Sequence, residues 1–200
     1  MPFRGADAKR RLVPLAPAER RTLAHAMLAD VLAASTRVGE TLLVTPPEAT
    51  QARLLARQTG ATIVADPGRS QGEAVAQALR TLDDGPVLVV NADLPCARPA
   101  DLLALLGQLP PGGLALVEAS DGTTNALALA SPRLFERLYG ASSAARFRRH
   151  AEGLGIPWTD ARLPDLARDV DCLADLDGLD GRLGPATAAV RHTLLASAVA

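Results

Sequence analysis

The sequence is poor in aromatic residues and in cysteine. Its 200 residues include three Phe, one Tyr and one Trp, so the core has to be built from Leu, Val and Ala. The two cysteines, Cys96 and Cys172, are too few and too far apart for a disulfide framework or a metal cluster.

Charge imbalance and long apolar runs are also missing. The formal net charge of -1 argues against a general binder of nucleic acid or membrane surfaces. No apolar run approaches the roughly 18 residues that a membrane helix needs. The first residues are basic, but no apolar signal core follows them. We therefore expect one cytoplasmic domain with a sizeable core.

The common nucleotide and hydrolase motifs are absent as well. Neither a Walker P-loop nor a Gly-x-Gly-x-x-Gly turn occurs, which excludes P-loop kinases and ordinary dehydrogenases. No serine nucleophile elbow occurs. The three histidines, His25, His150 and His192, lack ligand spacing, and we expect them at the surface or in packing.

What the chain does contain is an alternation of apolar strands and helices. This alternation predicts an α/β protein with a mostly parallel, doubly wound sheet. We expect a domain over residues 1–183 and a C-terminal helix or tail over 184–200. Predicted helices cover 17–34, about 46–59, 74–82, 98–106, 131–139 and 143–151, with a helical turn at 174–179. Predicted strands cover 41–45, 62–65, 85–90, 114–119, 125–130 and 168–172.

The stretch from Gly85 to Cys96 organises the rest of the chain. A short apolar run bounded by turn residues is typical of a central parallel strand buried on both faces, and Pro95 ends it. Asp93 would then lie at the carboxyl end of this strand, where α/β sheets bind ligands. The alternative is an aspartate that caps the following turn or helix.

A second acidic segment, Asp169-Val-Asp171, predicts two carboxylates on one face of a strand, because side chains alternate at period two. Together with Asp93 these groups make a magnesium site plausible. The alternative is a turn or helix cap before Leu173.

Two further segments favour anion binding. Tyr139-Gly-Ala-Ser-Ser143 places glycine and serine before a helix whose free amides can hold phosphate, although an ordinary serine cap would look the same. Gly122-Thr-Thr-Asn125 adds hydroxyls and an amide where a turn enters a strand. Nearby positive charge, which also suits solvated surfaces, comes from Lys9, Arg10, Arg11, Arg146, Arg148 and Arg149.

Taken in order, Asn-Ala-Asp93-Leu-Pro, Gly-Thr-Thr124-Asn-Ala-Leu, Tyr-Gly140-Ala-Ser-Ser143 and Asp169-Val-Asp171 resemble one family. They are similar to the CofC/FbiD guanylyltransferases of deazaflavin coenzyme biosynthesis. Ala-Lys9-Arg-Arg-Leu, Ala26-Met-Leu-Ala-Asp-Val-Leu and Gly184-Pro-Ala-Thr-Ala fit the same pattern, so the resemblance spans nearly the whole chain.

The resemblance implies a nucleotidyltransferase fold of the glycosyltransferase-A type, with GTP, Mg²⁺ and a phosphorylated three-carbon acid as reactants. It implies that Asp93 and Asp169 hold the metal with help from Asp171, and that Asp93 and Lys9 are catalytic. The acid would be bound by Thr124, Asn125, Gly140 and Ser143, with Arg4 in place of a lysine of the family. A downstream transferase would receive the product.

The expected reaction is transfer of GMP from GTP to phosphoenolpyruvate, with 2-phospho-L-lactate and 3-phosphoglycerate as alternative acceptors. A phosphate monoester is mostly dianionic at neutral pH, so it can attack the α-phosphorus without a general base. Alternatives are a molybdopterin-type nucleotidyltransferase, a non-catalytic nucleotide-binding protein, and a phosphatase with a nucleophile in Asp169-Val-Asp171.

Besides Arg4, which replaces a lysine of the family, the chain departs from the family at two further places. The family begins with a central strand that leads into the basic loop, and here Met1 stands where that strand should end. We expect either a start further upstream or an unpaired interior edge, which is costly. The family's Gly-Leu-Asn before the third helix is Ser70-Gln-Gly72 here, which leaves the base preference open.

Overall fold

The computed structural model describes residues 1–3, 12, 15–179 and 182–199, and side chains as far as residue 195. Its helices are α1 (Pro17–Ser35), α2 (Thr50–Thr59), α3 (Gln71–Leu79), α4 (Pro99–Gly107), α5 (Ser143–Leu154), α6 (Leu173–Asp177) and α7 (Pro185–Val199). Its strands are β1 (Leu42–Thr45), β2 (Thr62–Ala65), β3 (Val87–Val90), β4 (Leu114–Glu118), β5 (Thr124–Leu129) and β6 (Trp158–Asp160).

The strands form two sheets among the described residues. β1 and β2 make a parallel pair, and the other four strands lie in the order β3-β5-β4-β6. β3 and β4 both run antiparallel to β5, and β6 runs parallel to β4. Three of the four strands in the larger sheet therefore point the same way, which confirms the predicted α/β class and its mostly parallel sheet.

Helices cover both faces of the larger sheet, because consecutive side chains of a strand point to opposite faces. On one face, Val117 and Ala126 pack with Leu102 and Leu105 of α4 and with Val31 of α1. On the other face a second cluster joins the sheet to α3 and α5: Val75, Leu79, Leu116, Leu127, Ala144 and Phe147. The result is the predicted doubly wound arrangement.

The position of β3 differs from the sequence prediction of a central strand buried on both faces. In the part of the chain that the structure describes, β3 pairs with β5 alone. Val87 and Leu88 are half-buried, whereas Val89 and Val90 are buried. The first half of β3 is partly exposed because a cavity, and not another strand, lies on its second side.

Three further predictions were wrong in detail. Residues 131–139 hold a 3-10 turn at Pro132–Leu134 in place of a helix, and Phe135 is extended so that its ring lies 6.3 Å from that of Phe147. Residues 168–172 form no strand, and the sequence pattern missed β6. In each case a contact with a distant segment of the chain determines the local backbone conformation.

α7 is attached to the body of the domain by a buried carboxylate of α1. Asp30 is 6% exposed and accepts hydrogen bonds from the amides of Ala186 (3.0 Å) and Thr187 (2.8 Å). Gly184 fits tightly here, because a Cβ would lie 2.3 Å from Asp30 Cγ. The Gly184 amide donates to the carbonyl of Pro95 at 2.7 Å, so α7 also supports the loop after Asp93.

None of the helices over the described residues is both long enough and apolar enough to cross a membrane.

The buried carboxylate of Asp30 gives a stability prediction. Asp30→Ala leaves two helix amides without their acceptor and should lower the free energy of unfolding by about 1–2 kcal/mol. Asp30→Asn keeps one acceptor oxygen and should lose less. Urea titration followed by circular dichroism measures both.

Asp101→Ala is the matched control, because that carboxylate caps α4 at an exposed position, where it accepts from the Arg98 amide at 3.0 Å. If Asp30→Ala unfolds no more easily than Asp101→Ala, Asp30 does not anchor α7.

Candidate active site

One polar cavity of about 340 Å³ contains most of the residues that the sequence singled out. It is lined by Gln71, Asn91, Asp93, Asp121, Thr123, Thr124, Tyr139, Gly140, Ser143, Asp169 and Asp171. The loop after β3, the start of β5, the start of α5 and the segment before α6 all meet there. The two acidic segments and the glycine-serine segment therefore open onto the same space.

The acidic half of the cavity is assembled by a backbone hydrogen bond between two distant loops. The amide of Val170 donates to the carbonyl of Asp93 at 3.1 Å. This contact brings Asp93, Asp169 and Asp171 together, and one carboxylate oxygen from each lies within 4.8 Å of the others. All three side chains are half-buried.

The local backbone around Val170 explains how both neighbouring aspartates reach the cavity without a strand. Val170 is fully buried and packs in the same apolar cluster as Ala92 and Cys96, and Asp169 and Asp171 on either side of it line the cavity. The amide of Asp171 donates to Asp175 Oδ2 at 2.9 Å, which fixes the start of α6. The expected pairing on a strand face was wrong, but the expected convergence of the carboxylates is present.

The three carboxylates repel one another in the metal-free protein. Burial and the nearby Asp93 charge raise the pKa of Asp169, while a hydrogen bond from Asn125 Nδ2 at 3.3 Å opposes that rise. Two unit charges about 4 Å apart repel by roughly 4 kcal/mol at an effective dielectric of 20. Carboxylate oxygens are the preferred ligands of Mg²⁺ and Ca²⁺, so this cluster can hold a divalent cation.

The opposite half of the cavity is a pair of linked hydroxyls. Ser143 Oγ accepts from the Thr124 amide at 2.9 Å and donates to Thr124 Oγ1 at 3.1 Å. Both residues are buried. Because Thr124 Oγ1 accepts the serine proton, its own proton is left to donate to another acceptor, and Thr124 lines the cavity.

The start of α5 makes this half suitable for an anion. α5 is 12 residues long, begins at Ser143 and has no acidic residue in its first turn, so its dipole favours negative charge there. Gly140 has φ +116°, a conformation that favours glycine, and a Cβ there would lie 3.3 Å from Arg146 Nη2. The turn before α5 thus keeps both the backbone and a guanidinium close to the cavity wall.

The remaining predicted residues either fall outside the described part of the chain or contact other parts of the protein. Arg4, Lys9, Arg10 and Arg11 fall outside the described residues. Arg148 is paired with Glu118 and Asp160 and lies over the Trp158 ring, and Arg149 is exposed. The His25 ring packs near Phe3, and His150 contacts the Leu134 carbonyl at 3.1 Å. None of the three histidines belongs to the acidic cluster found among the described residues.

Sequence reasoning missed part of the cavity wall. Gln71 Nε2 donates to Asn91 Oδ1 at 2.8 Å, and Asn91 Nδ2 donates to the Thr124 carbonyl at 3.2 Å. Asp121 Oδ1 accepts from the amide and the hydroxyl of Thr123. An aspartate before glycine signals such a turn, but nothing in the sequence indicates that Gln71 would reach Asn91.

A comparison with known families agrees with this geometry. Residues 1–157 match the family described as "Guanylyl transferase CofC like". The chain belongs to this family. Membership makes the CofC-like chain a nucleotidyltransferase.

Several relatives share most of their length with this CofC-like chain. Phosphoenolpyruvate guanylyltransferase of Sphaerobacter thermophilus is 39% identical over 184 residues, covering 87% of each chain. 2-Phospho-L-lactate guanylyltransferase of Natrialba magadii is 35% identical, covering 88% of this chain and 80% of the relative. 3-Phospho-D-glycerate guanylyltransferase of Phenylobacterium zucineum is 33% identical, with 84% and 81% covered.

Solved structures agree on the fold. A protein from Desulfovibrio desulfuricans G20, described as a nucleotide-diphospho-sugar transferase, superposes with a TM-score of 0.72 at 17% identity and covers 96% of this chain and 91% of its own. Glucosyl-3-phosphoglycerate synthase from Mycobacterium tuberculosis, solved with Mn²⁺ and UDP, superposes at 0.55 with 17% identity, covering 80% and 67%. These neighbours confirm the predicted nucleotidyl- and glycosyltransferase-type fold of the CofC-like chain.

The acidic cluster predicts how the protein responds to a divalent cation. The raised pKa of Asp169 means that its ionisation is less favourable in the folded than in the unfolded state, so stability falls as pH rises above the ordinary Asp value of 3.8. Asp169→Asn should therefore raise the unfolding temperature of the metal-free protein at neutral pH. It should also reduce the stabilisation that MgCl₂ gives to the unmutated chain.

Thermal unfolding with MgCl₂ and with EDTA measures both effects. Asp165→Asn is the control, because Asp165 is paired with Arg182 at 2.7 Å and does not line this cavity. If neither MgCl₂ nor MnCl₂ raises the unfolding temperature of the unmutated chain, the acidic cluster does not bind a divalent cation.

Proposed function

We propose that this protein transfers GMP from GTP to the phosphate of phosphoenolpyruvate and releases pyrophosphate. The observation that carries the proposal is the shared cavity, in which three carboxylates face a hydroxyl pair and a helix start. The names of the relatives support the reaction class. 2-Phospho-L-lactate and 3-phosphoglycerate are the alternative acceptors.

The carboxylates account for nucleotide binding. Asp93 and Asp169, with help from Asp171, would hold Mg²⁺, because a triphosphate beside three uncompensated carboxylates would be repelled. When bound, the ion supplies charge cancellation for the triphosphate and for the leaving pyrophosphate. Lys9 would add positive charge at the triphosphate, and Asp93 is the catalytic carboxylate in this scheme.

The opposite wall accounts for the acid. Thr124 would donate its free hydroxyl proton to the acid, while Ser143 keeps that hydroxyl oriented. The backbone at Gly140 and the first turn of α5 would face the phosphate, since both favour an anion. Asn125, through Asp169, connects the two walls. Arg4 is the further cation that we assign to the substrates.

No general base is required for this reaction. A phosphate monoester with a second pKa near 6 is already mostly dianionic at neutral pH, so it attacks the α-phosphorus directly. Catalysis then depends on in-line positioning of the two phosphates and on charge stabilisation. A cavity whose described lining has carboxylates and hydroxyls but no histidine suits this chemistry.

The product would be an acid joined to GMP through a diphosphate. Such a linkage is an activated one, so the class of reaction that consumes it is a transfer with GMP as leaving group. We place this step in deazaflavin coenzyme biosynthesis in the cytoplasm, with the product passed to a downstream transferase.

Pyrophosphate release tests the reaction directly. The purified protein should release pyrophosphate with GTP, MgCl₂ and phosphoenolpyruvate, and the assay is repeated with the other two acids and with ATP, CTP and UTP. Asp93→Ala should abolish turnover while leaving the circular dichroism spectrum unchanged. Tight GTP binding with no release for any acid would favour a non-catalytic nucleotide-binding protein.

The hydroxyl pair gives a prediction about the acid. Thr124→Val keeps the shape of the side chain but removes the proton donor, so the KM for the acid should rise about 10- to 100-fold, as expected for a hydrogen bond to a charged group. Ser143→Ala should have a similar effect, because it frees the Thr124 hydroxyl from its orientation. The KM for GTP should change little in both variants.

Thr59→Val is the matched control, since its hydroxyl donates to the Leu55 carbonyl at 2.9 Å, away from the cavity. Unchanged acid KM values in both cavity variants would show that the acid binds elsewhere.

A further inference from the structure

Four side chains form a continuous series of hydrogen bonds from the start of α3 to the acidic cluster. Gln71 Nε2 donates to Asn91 Oδ1 at 2.8 Å, and Asn91 Nδ2 donates to Asn125 Oδ1 at 3.5 Å. Asn125 Nδ2 then donates to Asp169 Oδ1 at 3.3 Å. We call these four residues the amide relay. Three carboxamides thus connect a helix to one of the three carboxylates in the cavity.

The direction of every hydrogen bond in the amide relay is fixed by groups that can only accept. The Thr124 carbonyl accepts a further bond from Asn91 Nδ2 at 3.2 Å, and a carbonyl oxygen cannot donate. The NH₂ group of Asn91 therefore faces β5, which leaves its Oδ1 for Gln71. At the other end an ionised Asp169 can only accept, so Asn125 presents its NH₂ group there. Both constraints give one direction, with donation running from Gln71 towards Asp169.

The backbone holds the carboxamides of the amide relay at fixed positions. The Asn91 amide donates to the Asn125 carbonyl at 2.9 Å, as one more rung of the ladder between β3 and β5. Gln71 is the first residue of α3, and the cap Ser70 accepts from the Glu73 amide at 3.1 Å. Because the backbone is held, a change at one carboxamide is met by reorientation of the next one.

Burial makes the members of the amide relay depend on one another. Asn125 is 1% exposed, and Gln71 and Asn91 are half-buried. A buried carboxamide that loses a partner has little water to replace it, so its polar group stays unsatisfied or turns to another acceptor. Hydrogen bonds in series also polarise one another. Loss of the Gln71 donor should therefore be felt beyond Asn91.

The amide relay contacts both walls of the cavity. Asn91 donates to the Thr124 carbonyl, and the Thr124 amide donates to Ser143 Oγ at 2.9 Å. The first residue of β5 is therefore held from the side of the hydroxyl pair and from the side of the relay. Through Asn125 the same relay reaches Asp169 in the acidic wall. The carboxamide of Asn91 thus supports both walls at once.

We propose that Gln71 and Asn91 are positioning residues, which act through Asn125 to hold the Asp169 carboxylate in the orientation that a divalent cation needs. A carboxylate offers about four lone-pair sites, so the bond from Asn125 leaves others free for the cation. Hydrogen bonds to a ligating carboxylate fix its orientation and strengthen metal binding. This role depends on the proposed cation site, but not on which acid or nucleotide is bound.

Binding of Mn²⁺ to the nucleotide-free protein, measured by electron paramagnetic resonance, is the first test. Gln71→Met keeps the length of the side chain and removes its donor, whereas Asn91→Ala removes the whole carboxamide. The Mn²⁺ affinity should fall about tenfold or more in Asn91→Ala, as for other groups that orient metal ligands, and by a smaller factor in Gln71→Met. The double variant should lose no more than Asn91→Ala alone, because both changes interrupt one series of bonds.

Gln77→Met is the matched control, because it makes the same substitution in the same helix. Gln77 accepts a hydrogen bond from Arg80 at the exposed surface, and its loss should leave the Mn²⁺ affinity unchanged. Three results would overturn the proposal: unchanged affinity in both relay variants, additive losses in the double variant, or an equal loss in Gln77→Met.

Side-chain amide signals in NMR spectra of the metal-free protein are the second test. Gln71→Met should shift the NH₂ signals of Asn91 and also those of Asn125, the next carboxamide in the relay, whereas Gln77→Met should shift neither. A change confined to Asn91 would show that the orientation is not transmitted, and would overturn the proposal. If Asn91→Ala does not fold, Gln71→Met decides in both experiments.

These measurements separate the positioning role from the proposed reaction. Reduced Mn²⁺ affinity in the relay variants of a protein that releases no pyrophosphate would support the role and contradict the reaction. Pyrophosphate release by the unmutated protein, with unchanged Mn²⁺ affinity in the variants, would support the reaction and overturn the role. An unmutated protein that binds no Mn²⁺ would contradict both the cation site and the positioning role.

Discussion

One backbone hydrogen bond, from the Val170 amide to the Asp93 carbonyl, holds the candidate active site together. It joins two loops that are more than seventy residues apart and keeps three like charges within 4.8 Å. Folding alone does not favour such a cluster, since burial and the Asp93 charge both raise the pKa of Asp169. Buried Val170 provides the compensating apolar contact. A bound cation would reduce the repulsion between these three carboxylates.

The two walls of the cavity carry different chemical groups. The acidic wall belongs to loops, while the hydroxyl wall belongs to the first residue of β5 and the first residue of α5. Ser143 and Thr124 satisfy each other and leave one proton for a ligand. The proposed reaction between two phosphates would use this division, because one phosphate would be neutralised by a cation and the other aligned by fixed donors.

Elements that depend on local interactions were predicted from the sequence more accurately than elements that depend on contacts between distant segments. α1, β1, β2 and β5 were predicted to within a residue or two, because each has its own apolar period and its own turn residues. The segment 131–139 was predicted as a helix, yet Phe135 and Tyr139 extend to pack near Phe147. β6 was missed because a strand of three residues carries too short a pattern. Aromatic packing and strand pairing across the chain decided these places.

The sequence by itself determined the α/β class, the family and some of the residues that meet in the cavity. Composition excluded other classes, and Asp93, Thr124, Ser143 and Asp169 stand in recognisable motifs. Only the tertiary structure decided that the aspartates around Val170 reach the cavity from a loop and not from a strand, and that Gln71 supports Asn91. It also decided that β3 has a cavity along its second side. Sequence motifs indicate which chemical groups are present, whereas strand pairing and the distances between side chains are set only when remote segments pack together.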